Sequence, residues 1–194
     1  MIDTIIIATE NTHKRQEFEK ALPPLKYLDL QSYNLTMPEE KGEAYKDIAN
    51  QKALWAARST NVWAVGDDSG LEIQSMGNFP GIFSKRWAEK CGGFEAALSS
   101  VLVYLPKHTP LYASFYTFIA LASPTEECIM FSGTINGTLI HPGRGHKGFG
   151  YDPYFQPLEH TKTFGEMDLE EKLKISHRGK ALRSLGSYLK NHAT

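Results

Sequence analysis

The stretch Val65-Gly66-Asp67-Asp68-Ser69-Gly70-Leu71 constrains this chain more than any other. Trp63, Ala64 and Val65 lead into it and read as a short buried strand. The two aspartates fall where that strand is expected to end. Ser69-Gly70 is then expected to turn the chain back into Leu71-Glu72-Ile73. Neighbouring carboxylates at the edge of a core repel each other and lose hydration, which is costly unless a cation or a proton lies between them. A strand end opening on a cleft suits Mg²⁺, which takes few carboxylates and otherwise water and phosphate oxygens. By itself the tetrapeptide reads as a turn in which Asp and Ser cap backbone amides. The metal reading gains weight only from the rest of the chain.

A chain of 194 residues can build one domain with a substantial core, or two small lobes around a cleft. Hydrophobic residues make up 41% and charged residues 22%, an ordinary soluble composition. The formal net charge of −1 gives no overall attraction to nucleic acid or anionic membrane, so any basic site must be local. Cys91 and Cys128 match no clustered metal spacing and imply no disulfide framework; both read as reduced, buried thiols of a cytoplasmic protein. The run Ile5-Ile6-Ile7-Ala8 is too short for a signal peptide or membrane span. No repeat, low-complexity segment or linker interrupts residues 1–194, which read as a single domain.

From the start, Thr4 to Ala8 is a β-branched run that predicts a central strand. It gives way to Thr9-Glu10-Asn11-Thr12-His13-Lys14 and then a helix to about Leu22, stopped by Pro23-Pro24. A strand running into a polar loop at a helix N-terminus makes a ready anion site, to which Thr9, Asn11 and Lys14 add a hydroxyl, an amide and a cation. Plain N-capping explains the same hexapeptide, and without glycines it is no Walker loop. Lys26 to Leu30 suits a second strand. Pro38 to Glu43 is an acidic loop before a helix of about Ala44 to Ser59, with Ile48, Lys52, Trp55 and Ala56 on one largely apolar face. Glu39, Glu40 or Glu43 could share a metal with the aspartates, or simply favour the helix dipole.

Pro80-Gly81 signals a turn, after which Ser84, Lys85 and Arg86 offer donors between Phe83 and Trp87. Gly93 to Leu105 reads as a helix with Phe94, Leu98, Val101, Leu102 and Leu105 inward. Tyr112 to Ala122 and Cys128 to Ile140 predict a hairpin, projecting as an antiparallel ribbon from an α/β core. His141 to Pro153 is a glycine-rich loop carrying Phe149 and Tyr151, in which Phe149 can stack on a nucleobase for ~1–3 kcal/mol. Asp168 opens a helical stretch that Ser176-His177-Arg178-Gly179 either interrupts or follows with the last helix.

Five of these pieces occur in one order: Ala8-Thr9-x-Asn11-x-x-Lys14, Asp67-Asp68-Ser69-Gly70-Leu71, Pro80-Gly81-Ile82-Phe83-Ser84-x-Arg86, Gly148-Phe149-Gly150-Tyr151-Asp152-Pro153 and Ser176-His177-Arg178. Together they resemble the inosine/xanthosine triphosphate pyrophosphatase family over nearly the whole chain, from Ile5 to Leu189. The resemblance implies an elongated, two-lobed α/β fold with a central mixed β-sheet flanked by helices and an active-site cleft between the lobes. It implies a homodimer, and Mg²⁺-dependent hydrolysis of ITP, dITP and XTP to the monophosphate and pyrophosphate. Carried over by position, the segment Thr9, Glu10, Asn11, Thr12, His13 and Lys14 holds the triphosphate. Asp68 is general base or metal ligand, with Asp67 beside it and Ser69 and Arg86 at the substrate. Phe149, Gly150, Tyr151 and Asp152 form the base pocket with His177 and Arg178, and Lys172 matches a family lysine. Glu39 is the first choice for a further metal ligand. Glu10 stands where a glycine is common, which brings a negative charge to the phosphate loop unless it points away.

The chemistry suits these parts. Phosphoanhydride hydrolysis needs charge neutralisation, an oriented water and a held leaving group, which Mg²⁺, Lys14, Lys172 and an aspartate can provide. Hypoxanthine and xanthine present an acceptor oxygen where adenine has an amine. Donors from Arg178 and His177 suit the oxygen and leave adenine mismatched. Two other readings are a related pyrophosphatase for modified or pyrimidine nucleotides and a nucleotide-binding regulator without catalysis. A nucleic-acid-binding module is disfavoured by the absence of excess positive charge.

Overall fold

The computed structural model describes residues 2–103 and 110–192. Among them lies a mixed seven-stranded sheet in the order β2-β1-β3-β5-β6-β7, with β4 paired to β3. The strands are β1 (Thr4–Ala8), β2 (Lys26–Asp29), β3 (Trp63–Ile73), β4 (Phe79–Gly81), β5 (Leu111–Ala122), β6 (Cys128–Leu139) and β7 (Phe155–Pro157). The helices are α1 (Thr12–Ala21), α2 (Tyr45–Thr60), α3 (Ser84–Cys91), α4 (Phe94–Leu102), α5 (Leu169–Ile175) and α6 (His177–His192). This is the α/β class with a central mixed sheet that the sequence implies. Among the described residues no helix is long and apolar enough to cross a membrane.

The chain divides into two compact units, passing from one to the other without a linker. The first comprises Met1–Asp68, Thr117–Gly133 and Ser176–Thr194; the second comprises Ser69–Tyr116 and Thr134–Ile175. In the first, β1 runs parallel to both β2 and β3, with Ile5 to Ala8 opposite Trp63 to Gly66. Its β-branched residues are buried on both faces, the pattern of a strand covered by helices on two sides. One of its cores gathers Ile6, Ala8, Ala49, Ala53, Ala56 and Ala64, where small side chains let α2 pack closely. The second unit has its own core, in which Leu71, Leu98, Phe115, Tyr151, Phe155 and Phe164 meet.

Several local readings change. Asp67 to Gly70 is no turn: β3 continues through them for 11 residues, because Leu71 to Ile73 find an edge partner in β4. Phe79-Pro80-Gly81 is correspondingly a short strand, with the helix α3 beginning at Ser84. The long β5–β6 pair does not project as a ribbon; β5 enters the sheet beside β3, and its last four residues are buried in succession. The helix predicted over 93–105 is α4, and the part from Tyr104 onward lies outside the described residues. Cys128 is exposed, not buried, since it opens β6 on the outward half of the alternation.

Candidate functional site

Each unit carries a cluster of the candidate residues. In the first, the strand alternation sorts the two aspartates. Gly66 faces α2 so closely that a Cβ would come within 2.6 Å of Ala49 O and Ala53 N. The next side chain, Asp67, is turned the other way, toward α1 and α6. There Lys14 Nζ lies 2.9 Å and Arg178 Nε 3.3 Å from its Oδ2. Asp68 returns to the side of Gly66. Across the close approach that Gly66 permits, Lys52 of α2 donates to the Asp67 carbonyl at 2.8 Å and reaches Glu40 Oε1 at 3.0 Å. Thr117 of β5 donates to the Asp68 carbonyl at 3.3 Å.

The charges around this pair decide its chemistry. Glu17, Glu40, Asp67 and Asp68 face Lys14, Lys52 and Arg178, with Glu17 held on Arg178 Nη1. Among the described residues these seven groups, if all were ionised, would carry one more negative than positive charge. Burial opposes ionisation of both aspartates. For Asp67 the ammonium of Lys14 and the guanidinium of Arg178 overcome it and hold the carboxyl well below its usual range. For Asp68 burial wins over Lys14 and Lys52, with Asp67 adding repulsion, and the carboxyl is pushed up to about 7. Its Oδ2 is buried without a hydrogen-bond partner. Two adjacent carboxylates thus acquire different protonation behaviour from different surroundings.

The phosphate-loop candidates occupy the entry to α1. Asn11 is its N-cap, accepting from His13 N at 3.0 Å and Lys14 N at 3.2 Å, while Thr9 Oγ1 accepts from Asn11 N at 3.2 Å. Thr12 and His13 are exposed in the first turn. Glu10 points away to the acidic loop, accepting from Met37 N at 3.3 Å. Within that loop the structure brings Glu40 to the aspartates. Glu39 is turned outward, its side chain 84% exposed and beside Lys41. The geometry therefore favours Glu40 over Glu39 as the acid shared with Asp68. Among the described residues no three acids, histidines or cysteines converge as a metal cage.

Ser176 resolves the reading of the Ser-His-Arg segment. Its Oγ accepts from Gly179 N at 3.0 Å, so it caps α6, and His177 and Arg178 form the first turn. Both are buried, and Arg178 spends Nε and Nη1 on Asp67 and Glu17. The segment expected at the base is thereby tied to the aspartate pair. Lys52 and Glu17 were not identified as site residues from sequence. The available signal was an ionisable residue on the inward side of an amphipathic helix, which must find a buried partner.

In the second unit, Asp152 Oδ2 accepts from both Phe149 N at 2.8 Å and Lys172 Nζ at 2.7 Å. The same ammonium lies 4.7 Å from the Phe149 ring centroid, a cation–π contact that orients the ring. Gly150 supplies a positive φ of 66° in the loop that follows Phe149. Tyr151 is a core residue, edge-on to Phe94 and stacked on Trp87, its hydroxyl donating to Ser84 O at 3.3 Å. Ser69 continues β3, and the exposed Arg86 lays its guanidinium 4.8 Å from the Phe83 centroid.

A buried strand carrying two carboxylates of split protonation, met by cations from three helices, suits charged, phosphate-like ligands. The matching family is narrower. Residues 5–188 match the model of the Ham1 family, and the chain belongs to that family. A dITP/XTP pyrophosphatase of Thermus thermophilus is 38% identical over 185 residues, spanning 93% of this chain and 89% of the relative. One from Deinococcus radiodurans is 38% identical over 184 residues, spanning 95% and 92%. Among solved structures, a HAM1 protein from Coxiella burnetii superposes with a TM-score of 0.87 at 34% identity, covering 98% of this chain and 100% of the other. The Staphylococcus aureus Ham1 protein gives 0.85 at 32% identity, covering 97% and 99%.

Proposed function

We propose that this chain hydrolyses the noncanonical purine nucleoside triphosphates ITP, dITP and XTP to the monophosphate and pyrophosphate, removing them from the nucleotide pool. The observation that carries the reading is the split aspartate pair: Asp67 fixed as an anion by Lys14 and Arg178, Asp68 raised to about 7 with one oxygen unsatisfied. Membership of the Ham1 family and the dITP/XTP pyrophosphatase relatives support it.

Asp68 offers Oδ2, which no protein donor occupies, to the proton of the attacking water. Lys14 and Lys52 set positive charge beside it, where phosphate oxygens gain negative charge during the reaction. Thr9 and the amides opening α1 bind the triphosphate, with Asn11 fixing their direction as N-cap. A magnesium ion fits the surplus negative charge, because Mg²⁺ needs only one or two carboxylates and keeps water and phosphate for the rest. Asp68 and Glu40 would hold it, and it would neutralise phosphate charge and orient the leaving group. Phe149 stacks on the base, held by Asp152 and Lys172, while His177 and Arg178 select the purine oxygen and Ser69 and Arg86 complete the substrate contacts. A homodimer follows from the family resemblance, and the two free thiols favour the cytoplasm.

The deciding experiment supplies purified protein and Mg²⁺ with ITP, dITP, XTP, GTP, ATP and dUTP, and quantifies monophosphate and pyrophosphate. Preference for the first three with intact pyrophosphate is the expected result. Binding of ITP without turnover would replace the enzyme with a nucleotide sensor.

A further inference from the structure

Gly133 lies in β6, in the first unit, against the opening turn of α6. A Cβ at this position would come 2.1 Å from His177 O, 3.0 Å from Lys180 Cβ and 3.1 Å from Ala181 N. Two of those atoms are backbone, so no rotamer change relieves the overlap; the helix turn or the strand must move. That turn carries His177 and Arg178, and the Arg178 Nε bond to Asp67 is already long at 3.3 Å. A displacement of a few tenths of an ångström takes such a bond beyond the range of useful hydrogen bonding.

We propose that Gly133 is a positioning residue: its missing side chain lets the first turn of α6 lie close enough on β6 to seat Arg178 on Asp67 and to fix the two donors that select the base. The inference rests on the proposed role of His177 and Arg178 in base selection. Both residues act at a distance set by β6, and the strand allows that distance only where it has no Cβ.

The test compares kcat/KM for dITP with kcat/KM for dATP in the wild type, Gly133→Ala, Arg178→Lys and the double variant. A ratio of two substrates on one preparation does not depend on the active fraction, so loss of folded protein alone leaves it unchanged. Gly133→Ala and Arg178→Lys each lower the ratio about tenfold, the size expected when a selective hydrogen bond is lost. The double variant falls no further than the lower single one, as expected of residues acting through one contact. Gly137→Ala on the same strand is the control: its Cβ would meet Gln156 O of β7 at 2.5 Å and the Phe155 ring, with no α6 atom among its three nearest neighbours. It lowers thermal stability and leaves the ratio within about twofold.

A drop of the ratio under Arg178→Lys but not under Gly133→Ala overturns the inference and keeps the base reading. An unchanged ratio under Arg178→Lys sinks the base reading itself. The kcat for dITP then decides separately: additive losses in the double variant overturn positioning through Arg178, and non-additive losses retain it. A matching drop under Gly137→Ala would assign the effect to general loosening and overturn the inference. Should Gly133→Ala yield no soluble protein, Ala181→Gly loosens the same turn from the helix side, and an unchanged ratio there overturns it.

Discussion

Asp68 is the residue on which the chemistry turns: its Oδ2 is buried without a hydrogen-bond partner and, among the described residues, no cation is directly paired to it, whereas Asp67 is held by Lys14 and Arg178. Asp68→Asn removes the base while preserving shape. Turnover of dITP is expected to fall about 10²–10⁴-fold, the usual contribution of a general base. The melting temperature of the metal-free variant is expected to match or exceed that of the wild type, since a desolvated carboxyl has been exchanged for a neutral amide. Steady-state kinetics beside a thermal melt checks both, and an active variant removes Asp68 from the central role. Lys52 presents the opposite balance. It is buried and holds the Asp67 carbonyl and Glu40, so Lys52→Met leaves two acceptors unmatched. A loss of about 1–3 kcal/mol is expected in urea denaturation, together with reduced turnover.

Helices α1 and α6 are joined by a buried ion pair as well as by packing: Glu17 from one and Arg178 from the other, both almost without solvent exposure. Such a pair is a poor source of net stability, and here loss of the glutamate leaves Arg178 still paired with Asp67. Glu17→Ala is therefore expected to cost about 1–3 kcal/mol, the loss of one buried charged hydrogen bond. Glu17→Met with Arg178→Met is expected to cost less than the two single losses added, although Asp67 then loses one of its cations. Midpoints of denaturant unfolding measure the cycle; strict additivity would show that the pair is not the coupling. At the strand level, β3 shows why the Asp-Asp stretch is compatible with a regular element. Alternation gives the two acids different neighbours, so α1 and α6 serve one and the α2 side serves the other.

For the folded protein as a unit, the aspartates give stability a pH dependence of opposite signs in different windows. Asp67 is depressed, so its contribution is complete above the ordinary carboxylate pKa and is lost only as pH falls through its low native value. Asp68 is raised from 3.8 to about 7, so the native state binds the extra proton between those values. Its contribution is present below about 3.8 and is lost as pH rises toward 7. In a chelator, the unfolding free energy is expected to fall between those two pH values by more in the wild type than in Asp68→Asn. Denaturant titrations across that window measure the difference, and parallel curves for the two proteins would refute the assignment.

Much of this was legible in the sequence. The β-branched run of β1, the amphipathic helices and the turn and cap residues at their ends specify local structure, because hydrophobic period and backbone preference act over a few residues. The residue types of the site were legible as well, since two acids, a lysine-bearing helix entry and Ser-His-Arg stand in one linear order. Glu40 and Glu39 are indistinguishable along the chain; the direction of a loop separates them. Lys52 looked like a helix-face residue until α2 was laid on Gly66, and Glu17 gained meaning only when α6 brought Arg178 to it. Chain order determined which elements and which chemical groups this protein has. Tertiary structure alone decided which carboxylate is neutralised and which is left to titrate, because burial and charge pairing depend on distances between segments far apart in sequence.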